Sequence, residues 1–273
     1  MTDKYYEAKP QGSANKTVLI TGATGAIGKA IARQIAAMDG HTAVLAARDE
    51  AKARQAVSEI RKATGNENVY YELVDVSRRA SIDALAGRWP GRLDVLINNA
   101  GVTPRRREET PEGIEMLFAT NVLGYFWMTQ AFAEILRQSA PARVVNVASY
   151  WAGDLELDDL EFKRRRYRNG RAYRQSKQAN RMLTVAFAGR FDPAEVTVNV
   201  CHPGDVNSKL SNDLGFGGSE SPDSGARTPV WLATDPAVAQ ETGKYFEHMR
   251  QTPDRFASDR QAIEALYEAC LSY

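Results

Sequence analysis

The stretch Thr17-Val18-Leu19-Ile20-Thr21-Gly22-Ala23-Thr24-Gly25-Ala26-Ile27-Gly28 decides the fold. Its first five residues are apolar or β-branched and predict a buried strand. Glycines then predict a tight turn, and apolar residues recur at helical spacing beyond it. A strand, a glycine-rich turn and a helix N-terminus form a cradle whose backbone N–H groups can bind a pyrophosphate. The stretch therefore predicts a dinucleotide-binding fold, and the alternative is a tight turn without a ligand.

Further strand and helix patterns alternate along the rest of the chain. Strands are predicted at 42–47, 69–74, 93–97, 144–148, 196–201 and 244–246, and helices at 50–63, 78–89, 111–139, 173–190, 223–234 and 254–271. This alternation predicts an α/β protein with a doubly wound parallel sheet between two helical layers, a three-layer αβα sandwich. We expect a polar N-terminal tail at 1–16, without the apolar core of a signal peptide, and a single domain at 17–273.

Composition excludes several classes of function. At 273 residues the chain is long enough for one large α/β domain, and its formal charge of +1 gives no overall reason to expect nucleic acid binding. Cys201 and Cys270 form no CxxC pair, which suits a reducing compartment, and we expect a cytoplasmic protein. His41, His202 and His248 show no metal-ligand spacing, so no metal is expected. No run approaches the ~20 apolar residues of a membrane span.

A second stretch, residues 143–177, predicts proton-transfer chemistry. A buried strand stops at Ser149, and Tyr173 and Lys177 lie four apart at the start of a helical pattern. Residues four apart on a helix lie one above the other, so the phenol and the ammonium can act together while the serine orients an oxygen. Moving a tyrosine pKa from about 10 to about 7 takes roughly 4 kcal/mol, part of which an ammonium can supply. The alternative is an exposed helix after a strand that ends at serine for turn reasons.

Two positions after the second and third strands bear on the nucleotide. Arg48 stands about 20 residues beyond the glycines, where this fold contacts the adenosine ribose. A guanidinium there suits a 2′-phosphate, so we expect NADP(H) rather than NAD(H). The alternative is a solvated Arg48, with Asp49 capping the next helix. Asp75 can hold an adenine amino group, or else Asp75 or Ser77 caps the helix that follows.

Asn121 lies in an apolar part of the helical stretch 111–139. A buried asparagine inside a helix is costly unless it is hydrogen-bonded. Its side chain can bond backbone carbonyls, kink the helix and hold a water. A structural role and a role in a proton relay are compatible.

Three polar segments surround this chemistry. Residues 102–111, with Arg105, Arg106 and Arg107, favour a solvated loop over a phosphate or acidic-substrate contact. Residues 151–170 carry an acidic and then a basic part, which predicts a surface excursion with internal ion pairs at the pocket mouth. Residues 205–224 are rich in Gly, Ser and Asn and predict a mobile lid. Its apolar residues are the expected substrate contacts: Leu210, Leu214 and Phe216.

These motifs resemble those of the short-chain dehydrogenase/reductases along nearly the whole chain. The resemblance rests on the glycine loop, Asn98-Asn99-Ala100-Gly101, Asn121, Ser149, Tyr173-x-x-x-Lys177 and Pro203-Gly204. It implies a seven-stranded parallel Rossmann sheet. It also implies Tyr173 as acid/base, Lys177 as a ligand of the nicotinamide ribose that lowers the tyrosine pKa, Ser149 as the holder of the substrate oxygen, and Asn121 as the support of a relay water. The expected cofactor-binding residues are Gly22, Thr24, Gly25, Ala26, Ile27, Gly28, Arg48, Asp75, Val76, Asn99, Ala100, Gly101, Tyr173, Lys177, Pro203, Gly204 and Val206.

A narrower likeness is to the retinol dehydrogenase-like branch. It rests on Ala47-Arg48-Asp49, the long interval from Ser149 to Tyr173, Lys177-Gln178-Ala179-Asn180, His202-Pro203-Gly204 and Gly243-Lys244-Tyr245-Phe246. Members of that branch act on apolar carbonyls and alcohols, often with NADP(H). Ala26 stands where the branch usually has glycine, a spacing closer to the epimerase-type branch. The membrane anchor that many retinol enzymes carry is not expected here.

The sequence therefore predicts an NADP(H)-dependent alcohol dehydrogenase or carbonyl reductase for a small apolar ketone, aldehyde or alcohol. Relatives often pair through the helix that carries Tyr173, which makes a homodimer an alternative to a monomer. Two other functions remain alternatives: a non-catalytic dinucleotide-sensing protein, and an epimerase or dehydratase with tightly held cofactor. The intact set of Ser149, Tyr173 and Lys177 argues against the sensor, and the short C-terminal part argues against the epimerase.

Overall fold

The computed structural model describes residues 15–273, and their strands form one sheet in the order β3-β2-β1-β4-β5-β6-β7-β8. The strands are β1 Lys16–Thr21, β2 His41–Ala47, β3 Val69–Leu73, β4 Val95–Asn98, β5 Ala142–Val147, β6 Val196–His202, β7 Tyr245–Glu247 and β8 Arg250–Thr252. The first seven run parallel, and β8 is antiparallel to β7. The order reverses between β1 and β4, which confirms the predicted doubly wound topology. The predicted tail, residues 1–16, lies outside the described residues except for its last two.

Helices cover both faces of this sheet. They are α1 Ala26–Ala36, α2 Glu50–Thr64, α3 Arg79–Gly87, α4 Met116–Phe118, α5 Gly124–Ala131, α6 Ala133–Gln138, α7 Asn169–Ala188, α8 Lys209–Asp213, α9 Pro222–Thr234 and α10 Arg260–Leu271. One core joins the sheet to α1, α2 and α9. A second core, on the other face, joins it to α3, α5, α6, α7 and α10. The predicted three-layer αβα sandwich is therefore confirmed.

The antiparallel strand β8 was not predicted, and the expectation of seven strands is one short. Its sequence, Arg250-Gln251-Thr252, is polar and largely exposed, so it lacks the apolar pattern by which a strand is recognised. It pairs with β7 through a turn whose two central residues are His248 and Met249. Both have positive φ, 48° and 59°. That backbone suits Asn-Gly far better than two residues with larger side chains.

The predicted helix at 111–139 begins late and is interrupted. Residues before Met116 form a turn and an isolated bridge between Glu109 and Glu115. The Glu115 carboxylate then accepts hydrogen bonds from the first backbone N–H groups of α4. The next five residues, Ala119–Leu123, form a π-helix with Asn121 at its centre. The predicted distortion at Asn121 is therefore present as a local widening of the helix.

One predicted alternative for a helix cap and one predicted helix boundary are wrong. The helix after β3 has Arg78 as its N-cap, so neither Asp75 nor Ser77 caps it. The Asp75 carboxylate instead accepts two hydrogen bonds from Ser77 and holds the loop before the helix. The last helix begins at Arg260, with Asp259 as its cap, rather than at residue 254.

None of the helices in residues 15–273 combines the length and the apolar character that a membrane crossing requires. Within the same residues, no group of three or more His, Cys, Asp or Glu side chains is arranged to hold a metal ion.

We predict that replacing the turn by His248→Asn and Met249→Gly stabilises the protein. Asparagine and glycine adopt positive φ at little cost, so the double variant should gain about 1–2 kcal/mol in the free energy of unfolding. Urea unfolding of the native and variant proteins measures this. An unchanged or lower unfolding free energy would show that the turn carries no such strain.

Candidate active site

The glycine-rich turn lies at the point where the strand order reverses, at the carboxyl end of β1. Gly22 has φ of 64°, and a Cβ there would lie 2.8 Å from the Cα of Ala100 at the end of β4. A Cβ at Gly28 would lie 2.4 Å from the carbonyl oxygen of Gly22. Both contacts are too close for any side chain, so these glycines allow the turn, the helix and β4 to pack together. The predicted cradle is therefore present.

The N-terminus of α1 is open on the outer side of this turn. Gly25 is the N-cap and supplies no side chain to bond the first N–H groups of the helix. Gly25 and Ala26 are both exposed, and Thr24 and Ile27 are partly exposed beside them. Free N–H groups at the positive end of a helix dipole fit a pyrophosphate. Ala26 has room for its methyl group, so the turn accommodates alanine at this position.

The end of β4 is tied to the end of β1 by hydrogen bonds. The Thr21 hydroxyl accepts from the backbone N–H groups of Asn99 and Ala100 at 2.9 and 3.1 Å. The Asn99 side chain donates back to the Thr21 carbonyl at 2.9 Å. Asn99 therefore shapes the backbone around the cradle, and Gly101 follows it along the same edge. A Cβ at Gly101 would lie 3.4 Å from Leu210 of the predicted lid.

On the adenosine side, Arg48 and Asp49 have different roles. The Asp49 carboxylate caps α2 by accepting from the N–H of Lys52 at 3.1 Å, as the alternative prediction had it. Arg48 is exposed at the end of β2 and has no hydrogen bond or ion pair to any of residues 15–273. Asp75 and the buried Val76 lie beyond the end of β3, on the same side of the sheet. The Arg48 guanidinium is therefore without a partner among residues 15–273, at the edge of the sheet where the parallel strands have their carboxyl ends.

Ser149, Tyr173 and Lys177 are brought together as predicted. Ser149 lies two residues beyond β5, and its hydroxyl oxygen accepts from the N–H of Trp151 at 3.0 Å. The Ser149 hydroxyl acts on the Tyr173 phenol and lowers its pKa. Lys177 lies one turn further along α7 and places its Nζ 5.6 Å from the centre of the Tyr173 ring. The three side chains are buried, with 6%, 7% and 3% of their surface exposed, and thus form one protected cluster.

Burial governs the pKa values in this cluster. It raises the pKa of Tyr173 to about 12, and the hydrogen bond from Ser149 opposes the rise. Burial lowers the pKa of Lys177 to about 7. The chain's own residues therefore keep the phenol protonated at neutral pH. Asp205 and Tyr150 raise the tyrosine pKa further, and the expected lowering by Lys177 stays a prediction.

The Lys177 ammonium donates a hydrogen bond to the carbonyl oxygen of Val147 at 2.9 Å. The same carbonyl accepts from the Tyr125 hydroxyl at 3.1 Å. Tyr125 was not predicted as a site residue. Its position four residues after Asn121 places both on one helix face, and that spacing is the signal that could have identified it.

Asn121 is fully buried and bridges three parts of the site. Its side-chain nitrogen donates to the Val102 carbonyl at 3.1 Å, and its oxygen accepts from the Val102 N–H at 2.9 Å. The nitrogen also lies 3.4 Å from the hydroxyl of Ser176 on α7. The predicted bond to a backbone carbonyl is present, and the asparagine joins the π-helix to the loop after β4.

An apolar cluster lies over Tyr173. It contains Leu117, Phe162 and Ala172, with Trp151, Tyr167, Leu210 and Leu214 packed against it. The Trp151 ring lies 6.1 Å from the Tyr173 ring and 5.5 Å from the ring of Phe216. Two predicted substrate contacts, Leu210 and Leu214, therefore pack against the cluster that contains Tyr173. Phe216 lies further out and is 49% exposed.

The predicted lid, residues 205–224, contains more regular structure than expected. Ser208 begins the helix α8 with a capping box. Val206 forms an isolated bridge to Glu220, which joins the beginning of the segment to its later part. The Glu220 carboxylate accepts from the backbone N–H of Asp205 at 3.1 Å. The mobility of this segment stays a prediction.

Segment 151–170 is less superficial than predicted. Its internal ion pairs are present: Arg165 pairs with Glu156 and with the buried Asp159, and Lys163 pairs with Glu161. Glu161, Leu160 and Phe162 are also buried, so the segment packs onto the molecule along part of its length. The sequence showed the charges but not that the four consecutive residues 159–162 are buried.

Comparison with known proteins agrees with this geometry. A family model described as short chain dehydrogenase matches residues 16–215. Retinol dehydrogenase 13 of Homo sapiens is 34% identical, over 92% of this chain and 82% of that protein. Retinol dehydrogenase 12 of Homo sapiens is 37% identical, over 87% and 79%.

Solved structures give the same result. A crystal structure of an uncharacterised protein from Mycobacterium paratuberculosis is 28% identical, with a TM-score of 0.78 over 95% of this chain and 93% of that one. A short chain dehydrogenase from Escherichia coli CFT073 complexed with NADPH is 25% identical, with a TM-score of 0.70 over 87% and 98%. The chain belongs to the short-chain dehydrogenase family. It is an oxidoreductase of that family, which implies a nicotinamide dinucleotide as cofactor and a CH–OH or carbonyl group as the site of reaction.

The buried ammonium predicts a pH-dependent stability difference between the native protein and the variant Lys177→Met. Below pH 7 both the folded and the unfolded lysine are protonated, and the folded state carries the cost of burying a charge. Between the folded pKa of about 7 and the ordinary value of 10.5, the folded lysine loses its proton while the unfolded one keeps it. The unfolding free energy of the native protein should then rise relative to the variant, with a slope approaching about 1.4 kcal/mol per pH unit.

Urea unfolding from pH 6.5 to 10 measures this difference. The exposed Lys62→Met serves as the control, and its difference from the native protein should stay flat over the same range. The substitution Lys177→Met leaves the Val147 carbonyl partnered, because the Tyr125 hydroxyl still donates to it. A flat difference for Lys177→Met would mean that the folded lysine keeps its proton in spite of burial.

Proposed function

We propose that the protein is an NADP(H)-dependent oxidoreductase that interconverts an apolar ketone or aldehyde and the corresponding alcohol, with Tyr173 as acid/base. The observation that carries this is the buried pair of Ser149 and Tyr173, whose hydroxyl groups interact, with Lys177 one helical turn away. A protein that only binds a dinucleotide has no use for a matched hydroxyl pair at the end of a strand. The same observation favours turnover over the sensor alternative.

The cradle at Gly22 and Gly28 and the open N-terminus of α1 fit the pyrophosphate of such a cofactor. When bound, a reduced nicotinamide supplies the hydride. Ser149 orients the substrate oxygen by donating its hydroxyl proton to it, while its own oxygen accepts from the Trp151 N–H. Tyr173 is protonated at neutral pH and donates its proton to that oxygen as the carbonyl becomes an alcohol. In the reverse direction the phenolate takes the proton back.

Lys177 and Asn121 position this chemistry. The Lys177 ammonium is fixed by Val147 on the floor of the site, within reach of Tyr173 and of a ribose hydroxyl. Protonated Lys177 favours the phenolate that remains after proton donation. Asn121 holds the loop after β4 against α7. A water bonded to its side-chain oxygen would connect Lys177 to solvent.

The preference for NADP(H) is proposed from the different roles of Arg48 and Asp49. A carboxylate that caps α2 is not available to a ribose 2′-hydroxyl, and an unpaired guanidinium at the strand end suits a 2′-phosphate. The apolar substrate is proposed from the cluster of Trp151, Leu210 and Leu214 around Tyr173, and from relatives named retinol dehydrogenases. We place the protein in the cytoplasm, since both cysteines are free thiols.

Tyr173→Phe tests the mechanism. Removing a general acid should lower kcat by about a thousandfold while the affinity for NADPH stays nearly unchanged. Turnover of a panel of apolar aldehydes and ketones, together with NADPH fluorescence titration, measures the two quantities. Tyr267→Phe, whose hydroxyl has no hydrogen bond within residues 15–273, should keep native activity. Full activity in Tyr173→Phe would remove the tyrosine from the mechanism.

Arg48→Ala tests the cofactor preference. Losing a charge-assisted contact to a 2′-phosphate should weaken NADPH binding about 10- to 100-fold and leave NADH binding unchanged. Titration of both dinucleotides measures this, with the exposed Arg260→Ala as control. An equal loss for NADPH and NADH, or none for either, would assign Arg48 to solvent.

A further inference from the structure

The arginines near the pocket mouth divide into two groups. Arg107 and Arg165 are engaged: Arg107 donates to the Glu161 carbonyl and to Glu109, and Arg165 pairs with Asp159. A second group has exposed side chains without any hydrogen bond or ion pair to residues 15–273. We call this group the arginine rim: Arg105, Arg106, Arg166, Arg168 and Arg171.

The two segments that carry the arginine rim are held together. The Tyr167 hydroxyl donates to the Pro104 carbonyl at 3.0 Å, which fixes the loop of Arg105 and Arg106 beside residues 166–168. The Asn169 side chain donates to the Asp213 carbonyl at 3.2 Å and ties the start of α7 to the end of α8. These bonds join the two segments to each other and to α8, which fixes the backbone that carries the arginine rim.

The arginine rim borders the apolar cluster over Tyr173. Tyr167 packs against that cluster and lies 5.6 Å from Phe162, ring centre to ring centre. A Cβ at Gly170 would lie 3.4 Å from the Trp151 ring, so the first turn of α7 touches the aromatic wall. The apolar cluster over Tyr173 is thus bordered by the positively charged arginine rim.

Charge balance distinguishes this patch from the rest of the surface. The protein is nearly neutral, with a formal charge of +1, and many of its other arginines are paired. Glu108 adds one negative charge that acts on Tyr167. The five guanidinium groups of the arginine rim outnumber it, so the rim keeps a positive excess. Such a local excess on a neutral protein favours one anionic group at the pocket over a long polyanion such as nucleic acid.

We propose that the substrate has an apolar body with a carbonyl or alcohol at one end and an anionic group, a carboxylate or a phosphate, at the other. The apolar body binds against Trp151, Leu210 and Leu214, and the anion binds the arginine rim. This inference rests on the proposed oxidoreductase function. Arg168 precedes Tyr173 by five residues, about 7–8 Å along the helix axis, and a ten-carbon chain is long enough to span that distance.

The test compares three aldehydes of matched length: 10-oxodecanoate, its methyl ester and decanal. With NADPH, native protein should show kcat/KM about tenfold higher for 10-oxodecanoate than for the ester, and added salt should reduce the preference. The triple variant Arg166→Gln/Arg168→Gln/Arg171→Gln should lose the preference while turning over the ester at the native rate. The control triple Arg227→Gln/Arg250→Gln/Arg260→Gln, also exposed, should keep it. Equal kcat/KM for the three aldehydes in native protein, or a preference that survives the first triple variant, would overturn the proposal.

A binding measurement separates this proposal from the proposed function. If none of the aldehydes turns over, calorimetric titration of the unreactive dec-9-enoate decides: binding about tenfold weaker in the first triple variant supports the arginine rim, and equal binding overturns it. Inorganic phosphate as a competitor of 10-oxodecanoate distinguishes a phosphate site from a carboxylate site. Binding to phosphatidylglycerol vesicles that requires the arginine rim, without any preference for 10-oxodecanoate, would assign these arginines to a lipid surface instead.

Discussion

A short chain of buried hydrogen bonds sets the position of α7, the helix that carries Tyr173 and Lys177. The Asn98 side chain at the end of β4 donates to the Asn146 side chain on β5, and Asn146 donates to Thr184 on α7, each at 2.9 Å. All three side chains are buried, where an unpartnered amide is expensive, so the strands and the helix can pair in only one register. That register places Tyr173 and Lys177 against the end of β5, and with them the reacting groups.

The candidate active site holds its side chains in a fixed geometry, but burial makes their ionisation unfavourable. Burial opposes ionisation of both Tyr173 and Lys177, and the chain offers the ammonium a carbonyl oxygen rather than a carboxylate. A carboxylate would stabilise the ammonium more strongly, but it would also hold the charge away from the phenol. The neutral acceptor does not neutralise the ammonium, so its charge can still act on the Tyr173 phenol. The site thus gives up some stability for reactivity.

Patterns that are local in sequence predicted most of the fold and the clustering of Ser149, Tyr173 and Lys177 at the candidate site. The strand–turn–helix at residues 17–38 and the pair Tyr173 and Lys177 need only neighbouring residues to be recognised. The strand β8 was missed because a polar strand at an exposed edge lacks an apolar period. The protonation state of Tyr173 could not be predicted, because it depends on burial by segments distant in sequence. The contact between the loop at Pro104 and Tyr167 is non-local in the same way.

The last helix, α10, covers part of the surface of α7. Tyr267 of α10 packs on Phe187 of α7 at 5.4 Å between ring centres, and Arg181 of α7 pairs with Asp254 just before α10. The C-terminal segment of the chain thus covers the part of α7 that carries Arg181 and Phe187. A second copy that used this part of α7 as an interface would first have to displace α10.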